Sequence, residues 1–147
     1  MGDILELRKD AVDVDTYLKL RKSVGWKEFS REQAQKALDH SLCTMCVFLA
    51  NQPIGMGRIV GDGSVICYIQ DLIIHPHAQG KGVGRLLMES LIAYVEEITA
   101  PGTEMMLDLM CAKGREAFYK QYGFLARPTE SLGPGMIRYL RKEKTDK

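Results

Sequence analysis

The sequence predicts a single α/β domain, residues 1–147, built on a mixed sheet, and three observations support that fold class. The chain has 147 residues, close to the ~150 residues of one domain. Hydrophobic residues make up 46% and charged residues 27%, the composition of an ordinary globular protein. The apolar patterns give the element order β-αα-β-β-β-α-β-α-β, which departs from the strict alternation of a doubly wound fold.

The charge balance and the amino terminus exclude several classes of protein. Lysine and arginine number 20 against 19 acidic residues, and this net charge of +1 argues against a binder of nucleic acid or of an anionic membrane. No apolar run approaches the ~18 residues of a membrane span. Residues 1–6 contain acidic side chains and lack an apolar signal core, so we expect a cytoplasmic protein.

The first elements are a strand and two helices. Residues from about 3 to 8 alternate between apolar and polar side chains, which predicts a strand. Val14, Leu18 and Arg21 begin a helical stripe that Gly25 ends. Ser30, followed three residues later by Gln33, has the spacing of a capping box and predicts the start of the second helix.

The middle of the chain predicts three strands. Residues 43–50 are apolar, residues 51–53 form a turn, and residues 54–60 return as the second strand of a hairpin. A long strand rich in β-branched and aromatic residues follows at 64–74.

The last third predicts a long helix, a strand, a short helix and a final strand. Residues 83–98 place apolar side chains at helical spacing over four turns, the strongest helical pattern in the chain. We expect a strand at 104–110, a helix at 115–122 and a last strand at about 136–141.

A glycine-rich turn joins the long strand to the long helix. Residues 79–84 read Gln-Gly-Lys-Gly-Val-Gly. The glycines leave the backbone accessible to a ligand just before the first turn of the helix. The unpaired N–H groups and the dipole of that first turn favour an anion, and phosphate is the usual ligand. A dinucleotide fingerprint would need glycine where Arg85 stands, and a P-loop would need Gly-Lys-Ser or Gly-Lys-Thr.

With these motifs, the chain resembles the GCN5-related N-acetyltransferase (GNAT) superfamily. The spacing of Gln79, Gly82 and Gly84 fits the pyrophosphate loop of that family, which reads Arg/Gln-x-x-Gly-x-Gly/Ala after a long strand. Residues 118–124, Phe-Tyr-Lys-Gln-Tyr-Gly-Phe, resemble the family's second signature on its final helix. The whole element order fits the family, so the resemblance covers nearly all of the chain.

The resemblance implies a GNAT fold with a splayed central sheet and an acetyl-CoA site. In the family, the long strand separates from its neighbour and the pantetheine arm occupies the gap, where the strand's main chain polarises the thioester. Carried over to this sequence, the resemblance implies that acetyl-CoA contacts Leu72, Ile73, Ile74, Gln79, Gly80, Lys81, Gly82, Val83, Gly84, Arg85 and Phe118.

Two residues are candidates for proton transfer. The resemblance matches Tyr119 to the family's tyrosine near the sulfur of CoA, and an ordinary tyrosine pKa of ~10 suits a general acid. Asp71 is the candidate base, because a carboxylate inside an apolar strand needs a reason. The alternatives are that Tyr119 is a core residue, that Asp71 pairs with an arginine such as Arg58, and that water or His75 takes the proton.

The acceptor leaves no specific motif. In the family the first two helices and the late loops cover the acceptor, so the resemblance suggests contacts from Tyr17, Trp26, Phe29 and Arg127. No metal site is expected, because Cys43 and Cys46 form the sequence's only Cys-x-x-Cys pair and a zinc site needs a second pair. We expect these thiols to be buried as small hydrophobic groups.

The sequence therefore predicts an N-acetyltransferase that moves the acetyl group of acetyl-CoA directly to a primary amine of a small molecule or peptide. The alternative is a non-catalytic acyl-CoA-binding module that acts as a sensor or a subunit. A homodimer is left open.

Overall fold

The computed structural model describes residues 4–145. The chain divides into two compact units, Met1–Leu109 and Met110–Lys147, which are described separately below. The single domain predicted above stays a prediction, and residue 3, where the first strand was expected to begin, lies outside the described residues.

The first unit carries most of the regular structure. Its elements are β1 (Leu5–Lys9), α1 (Val14–Ser23), α2 (Arg31–Asp39), β2 (Cys43–Leu49), β3 (Gln52–Gly61), β4 (Ile66–Ile74), a 3₁₀ turn (Pro76–Ala78), α3 (Val83–Ile98) and β5 (Met106–Leu109). The second unit contains α4 (Glu116–Lys120).

The five strands form one mixed sheet in the order β1-β2-β3-β4-β5. The first four strands pair antiparallel with their neighbours, and β5 pairs parallel with β4. Helix α3 makes the crossover that two parallel strands require. The mixed α/β fold predicted from the sequence is confirmed.

Helices α1 and α2 pack on one face of the sheet. Val14, Tyr17 and Leu20 of α1 are buried with Met56 of β3 and Ile73 of β4. Side-chain caps fix where both helices begin, since Asp13 accepts the N–H of Thr16 and Ser30 accepts the N–H of Gln33, at 2.8 Å and 3.1 Å. The predicted cap at Ser30 is therefore confirmed.

Helix α3 packs on the opposite face, directly against the backbone of β3. A Cβ on Gly55 would lie 2.6 Å from Val83 Cγ1, and a Cβ on Gly57 would lie 2.7 Å from Leu91 Cδ1. Successive residues of a strand point to opposite faces, so Met56 between these glycines points toward α1. The two glycines thus let α3 approach the sheet closely.

The strand predicted at about 136–141 is absent from the structure. These residues have no regular secondary structure, and apolar side chains among them stay exposed, with Met136 at 89%. A strand is stabilised by pairing and by burial of one face, and the described residues supply this segment with neither. The residues of this segment alone were therefore not sufficient to predict a strand.

Smaller corrections concern element lengths and one helix face. The strand predicted at 104–110 shortens to β5, the helix predicted at 115–122 shortens to α4, and the long strand starts at Ile66. The Asp62 carboxylate accepts the N–H groups of Ser64, Val65 and Ile66, which makes this stretch a turn. In α1 the buried stripe contains Tyr17 and Leu20, whereas Leu18 is only partly buried.

We predict that Gly55→Ala destabilises the protein. The added methyl group meets Val83 Cγ1 at 2.6 Å and the Ile73 carbonyl oxygen at 3.1 Å, and the backbone atom cannot move aside freely. We expect the free energy of unfolding in urea to fall by about 1–3 kcal/mol. Gly135→Ala is the control, because no atom lies within 4 Å of its added Cβ. Equal unfolding midpoints for the two variants would contradict the close packing of α3.

Candidate active site

Strand β4 extends beyond the end of its pairing with β5. Pairing with β5 runs from Ile66 to Ile69, opposite Met106–Leu109. Within residues 4–145, no strand pairs with Gln70–Ile74 on that edge, although β3 pairs with them on the other. Backbone groups at the end of β4 thus have an edge to which an extended ligand can add as a pseudo-strand.

A β-bulge between β3 and β4 lies just beyond the end of the pairing with β5. Met56 faces Ile73 and Arg58 faces Gln70, so Gly57 alone stands opposite two residues of β4. One of the two is Asp71, whose φ of 57° is in the left-handed region that non-glycine residues rarely adopt. Bulges redirect side chains and are frequent beside active sites. In this protein the bulge carries the predicted catalytic carboxylate.

Asp71 is the centre of a buried polar network. Its side chain is 0% exposed and forms ion pairs with Arg21 of α1 and Arg58 of β3, each at 2.8 Å. The hydroxyl of Tyr17 donates a further hydrogen bond to the Asp71 carboxylate. Burial, followed by the hydrogen bond to Asp71, raises the pKa of Tyr17 to about 12, so its hydroxyl remains a donor throughout the neutral range.

The pairing of Asp71 with Arg58, one of the two alternatives for this residue, is confirmed. Arg21 and Tyr17 were not foreseen as further partners of the carboxylate. Their signal was present, because Arg21 falls on the apolar stripe of α1, where a charged residue needs a buried partner. The base role of Asp71 stays a prediction.

The glycine-rich turn has the backbone that the sequence predicted. Gly80 and Gly82 have φ values of 81° and 84°, and no atom lies within 4 Å of where either Cβ would be. The need for glycine is therefore conformational, and the space beside the turn is open. Gly82 is the N-cap of α3 and brings no side-chain acceptor to the first turn. This leaves a helix N-terminus suited to an anion.

The residues around this turn differ in exposure. Val83 and Gly84 are buried, whereas Gln79 and Lys81 are exposed. The Arg85 guanidinium forms an exposed ion pair with Glu89 on the next turn of α3, at 2.8 Å.

His75, at the end of β4, is held by its own turn. Its Nδ1 accepts the N–H of His77 at 3.1 Å, and the two imidazole rings stack with centroids 5.1 Å apart. Because the lone pair of Nδ1 is engaged, the neutral ring carries its proton on Nε2 in this arrangement. The lone pair of Nδ1 is thus used within the turn.

The second unit holds Tyr119 in an aromatic cluster. Its ring packs edge-on against Phe118 and Phe124, with centroids 5.1 and 6.2 Å away. Burial is the main reason that the pKa of Tyr119 lies above its ordinary value, with the nearby Cys111 adding to the shift. The hydroxyl is therefore protonated well beyond neutral pH, as a general acid requires.

A cleft of about 560 Å³ lies between α1 and the segment that follows it. We call residues 24–29 the aromatic loop, because Trp26 and Phe29 line the cleft together with charged side chains. Tyr17, in contrast, is fully buried and does not line it. In the second unit, Arg127 donates to the Gly133 carbonyl oxygen at 2.6 Å.

The cysteines are free thiols. Cys43, Cys46 and Cys67 are buried and Cys111 is exposed, and burial raises the pKa of Cys43 and of Cys46 to about 12. The predicted burial of the Cys-x-x-Cys pair is confirmed. Among residues 4–145, no group of three His, Cys, Asp or Glu side chains is arranged to hold a metal ion. No helix in the same range is long and apolar enough to cross a membrane.

Comparison with known proteins identifies the family. Residues 43–125, more than half of the chain, match the acetyltransferase (GNAT) domain. The chain therefore belongs to the GNAT acetyltransferases.

Relatives and solved structures agree with this assignment. An uncharacterized N-acetyltransferase of Gracilaria tenuistipitata is 31% identical over 75% of this chain and 60% of its own length. Serotonin N-acetyltransferase 2, chloroplastic, of Oryza sativa is 28% identical over 86% of this chain and 64% of its own length. A GNAT-family acetyltransferase structure from Streptococcus pneumoniae has a TM-score of 0.79 at 28% identity, covering 95% of this chain and 100% of that one. The chain thus spans about three fifths of the length of these curated relatives.

We predict that Asp71→Asn strongly destabilises the protein. The amide is nearly isosteric, but it leaves two buried guanidinium groups facing a neutral side chain. We expect the free energy of unfolding in urea to fall by about 3–5 kcal/mol.

Asp15→Asn is the matched control for Asp71→Asn, because it breaks an ion pair of the same type, with Arg31, that is exposed to solvent. Its unfolding midpoint should stay close to that of the unmodified protein. Equal losses of unfolding free energy in the two variants would show that burial of the Asp71 network does not contribute to stability. An activity profile of Asp71→Asn that collapses only at low pH would instead support the base role.

Proposed function

We propose that this protein is an acetyl-CoA-dependent N-acetyltransferase that transfers the acetyl group directly to a primary amine of a small molecule or peptide. One observation carries the proposal: the edge of β4 after Ile69, to which no strand among residues 4–145 adds, leads through one short turn into the glycine N-cap of α3. An edge for an amide-rich arm and a helix N-terminus for a pyrophosphate therefore follow each other along the chain, as pantetheine and phosphates do in CoA.

The cofactor contacts follow from that arrangement. Main-chain groups of Leu72, Ile73 and Ile74 are proposed to bind the pantetheine amides and to polarise the thioester carbonyl. The turn 79–84 is proposed to bind the pyrophosphate through its backbone N–H groups, with Lys81 and Arg85 adding positive charge and Phe118 contributing apolar contact.

The proposed reaction is a direct displacement. The neutral amine nitrogen attacks the thioester carbon, a C–N bond forms, and the C–S bond breaks to release the CoA thiolate. The nitrogen loses one proton, the thiolate gains one from the Tyr119 hydroxyl, and solvent returns a proton to Tyr119. Tyr119 suits this role because burial keeps it protonated.

The proton of the amine needs a separate acceptor. We propose water as its immediate acceptor, because Asp71 is enclosed by three donors and His75 has Nδ1 engaged. Asp71 as the direct base is the competing assignment, and the pH profile of Asp71→Asn distinguishes the two.

The cleft beside the aromatic loop is the proposed acceptor site. Trp26, which is 39% exposed, and Phe29 line it, and such aromatic side chains suit an amine with an aromatic or apolar body. One relative is named a serotonin N-acetyltransferase, and its name supports this class of acceptor. The acceptor contact of Arg127 stays a prediction from the resemblance. The free thiols support a reducing compartment, and we propose the cytoplasm.

An assay of thiol release tests the proposal against a non-catalytic acyl-CoA-binding module. The protein is incubated with acetyl-CoA and a panel of primary amines that includes arylalkylamines, and free CoA thiol is measured with mass detection of the acetylated amine. We expect amine-dependent turnover. Tight acetyl-CoA binding without turnover on any amine would favour the binding module instead.

Tyr119→Phe should lower turnover in that assay by up to about 100-fold while leaving CoA affinity unchanged. Because the pKa of Tyr119 is raised, the loss should stay constant as the pH rises from neutral to mildly alkaline values. Tyr122→Phe removes a hydroxyl three residues away and is the control, with turnover expected near that of the unmodified protein. Equal turnover for the Tyr119 variant and this control would reject Tyr119 as the acid.

Gly82→Ala should weaken CoA binding. Alanine disfavours the φ of 84° at this position by about 1–2 kcal/mol, so the turn relaxes and withdraws N–H groups from the pyrophosphate. Losing one hydrogen bond to a charged group raises the dissociation constant about tenfold or more, measured by calorimetry.

Gly102→Ala is the matched control for Gly82→Ala. Gly102 has a φ of 79° and equally open surroundings, but it lies in the turn after α3. The backbone strain is the same, and CoA affinity should be unchanged. If both variants bind CoA alike, the turn 79–84 is not the pyrophosphate site.

A further inference from the structure

The buried network around Asp71 carries more positive charge than the carboxylate can balance. Two guanidinium groups, Arg21 at 8% and Arg58 at 11% side-chain exposure, share a single carboxylate. A charge withdrawn from water needs other polar or polarisable partners. The groups that compensate the second positive charge therefore identify the part of the molecule that depends on this network.

Arg21 finds that compensation in the aromatic loop. Its Nη1 donates to Asp71 at 2.8 Å, while its Nη2 and Nε both donate to the Lys27 carbonyl oxygen, at 2.9 and 3.3 Å. One planar group thus joins the bulge of β4 to the backbone of the loop, so that the two lie only a guanidinium's width apart.

Aromatic rings complete the surroundings of Arg21. Its Cζ lies 3.9 Å from the ring centroid of Phe29 and 5.4 Å from that of Trp26, both in the aromatic loop. The buried Tyr17 ring is a third neighbour, at 5.9 Å. These distances are within the range of cation–π attraction, which is strongest for a desolvated guanidinium.

We propose that Arg21 is a positioning residue that holds the aromatic loop, and with it the acceptor cleft, in a fixed place relative to the acetyl-CoA strand β4. The proposal rests on the proposed function, since it takes the cleft as the acceptor site. Arg21 itself lines the cleft, and it acts on the aromatic loop through the Lys27 carbonyl and the rings of Trp26 and Phe29. Its removal changes acceptor binding and leaves acetyl-CoA binding intact.

Arg58 provides a matched comparison inside the same network. It pairs with the same carboxylate at the same distance of 2.8 Å, but its other hydrogen bond goes to the Ser41 hydroxyl at 3.2 Å. No contact of Arg58 with the aromatic loop is found within residues 4–145. A substitution at either arginine weakens an ion pair with Asp71. Only a substitution at Arg21 also removes the contacts with the aromatic loop.

The test compares Arg21→Lys with Arg58→Lys. Lysine keeps the charge, but its ammonium cannot span Asp71 and the Lys27 carbonyl as the planar guanidinium does. Trp26, the only tryptophan of the chain, reports on the aromatic loop without any ligand. In Arg21→Lys we expect stronger acrylamide quenching and a nanosecond component in the anisotropy decay. In Arg58→Lys both signals should match the unmodified protein.

Kinetics provides the second readout, and both readouts must agree. In Arg21→Lys the KM for the amine should rise about tenfold or more, with the KM for acetyl-CoA unchanged, because loss of a charged hydrogen bond has that magnitude. Arg58→Lys should lower stability in urea to a similar extent as Arg21→Lys while keeping the amine KM.

Trp26 signals or an amine KM that are the same in both variants overturn the proposal and make Arg21 a purely structural residue. Calorimetry of CoA binding runs beside these measurements. A wild-type protein that transfers no acetyl group overturns the proposed function, and with it the role of the cleft. An active wild type with an unaffected Arg21 variant overturns only the role of Arg21.

Discussion

The position of a single buried carboxylate, Asp71, determines how the helices meet the sheet in this protein. A side chain with 0% exposure cannot keep a negative charge unless it is paired, so α1 must bring Arg21 and β3 must bring Arg58 to the same point. Buried ion pairs add little net stability compared with apolar packing, because desolvation offsets their attraction. The main consequence is therefore geometric. The Asp71 carboxylate on β4 fixes the position of α1 on the sheet and, through Arg21, the position of the aromatic loop.

The opposite face of the sheet is organised by the absence of side chains. Gly55 and Gly57 lie on β3 at the positions that face α3, and their lack of a Cβ allows Val83 and Leu91 to pack onto the strand. Val83 is also the first residue of α3, next to the N-cap Gly82. Close packing at Gly55 thus fixes the start of α3, which is the proposed phosphate site. The proposed acceptor cleft beside α1 and the proposed phosphate site at the start of α3 thus lie on opposite faces of the sheet at β3 and β4.

Helices, caps and hairpins, which depend on residues close together in the sequence, could be predicted from the sequence. Most side-chain contacts between residues far apart in the sequence could not. The long helix, the Ser30 cap and the hairpin are local patterns, and the structure confirms each of them. Arg58 was named as a partner of Asp71, whereas the other two partners, Arg21 and Tyr17, are 50 and 54 residues away in α1, a separation that no periodicity reports. The last strand expected at about 136–141 is absent for a related reason, because the residues of one segment do not show whether a partner strand is available.

The same distinction explains why the cofactor half of the site is readable and the acceptor half is not. A pyrophosphate bound by backbone N–H groups needs positive φ values at fixed places, and only glycine adopts them easily. Gly80 and Gly82 therefore leave a pattern in the sequence. An acceptor is bound by side chains, and many residue types can supply an aromatic face or a charge. Trp26 and Phe29 line the cleft and contact Arg21, so their proposed role depends on a tertiary contact that leaves no motif behind.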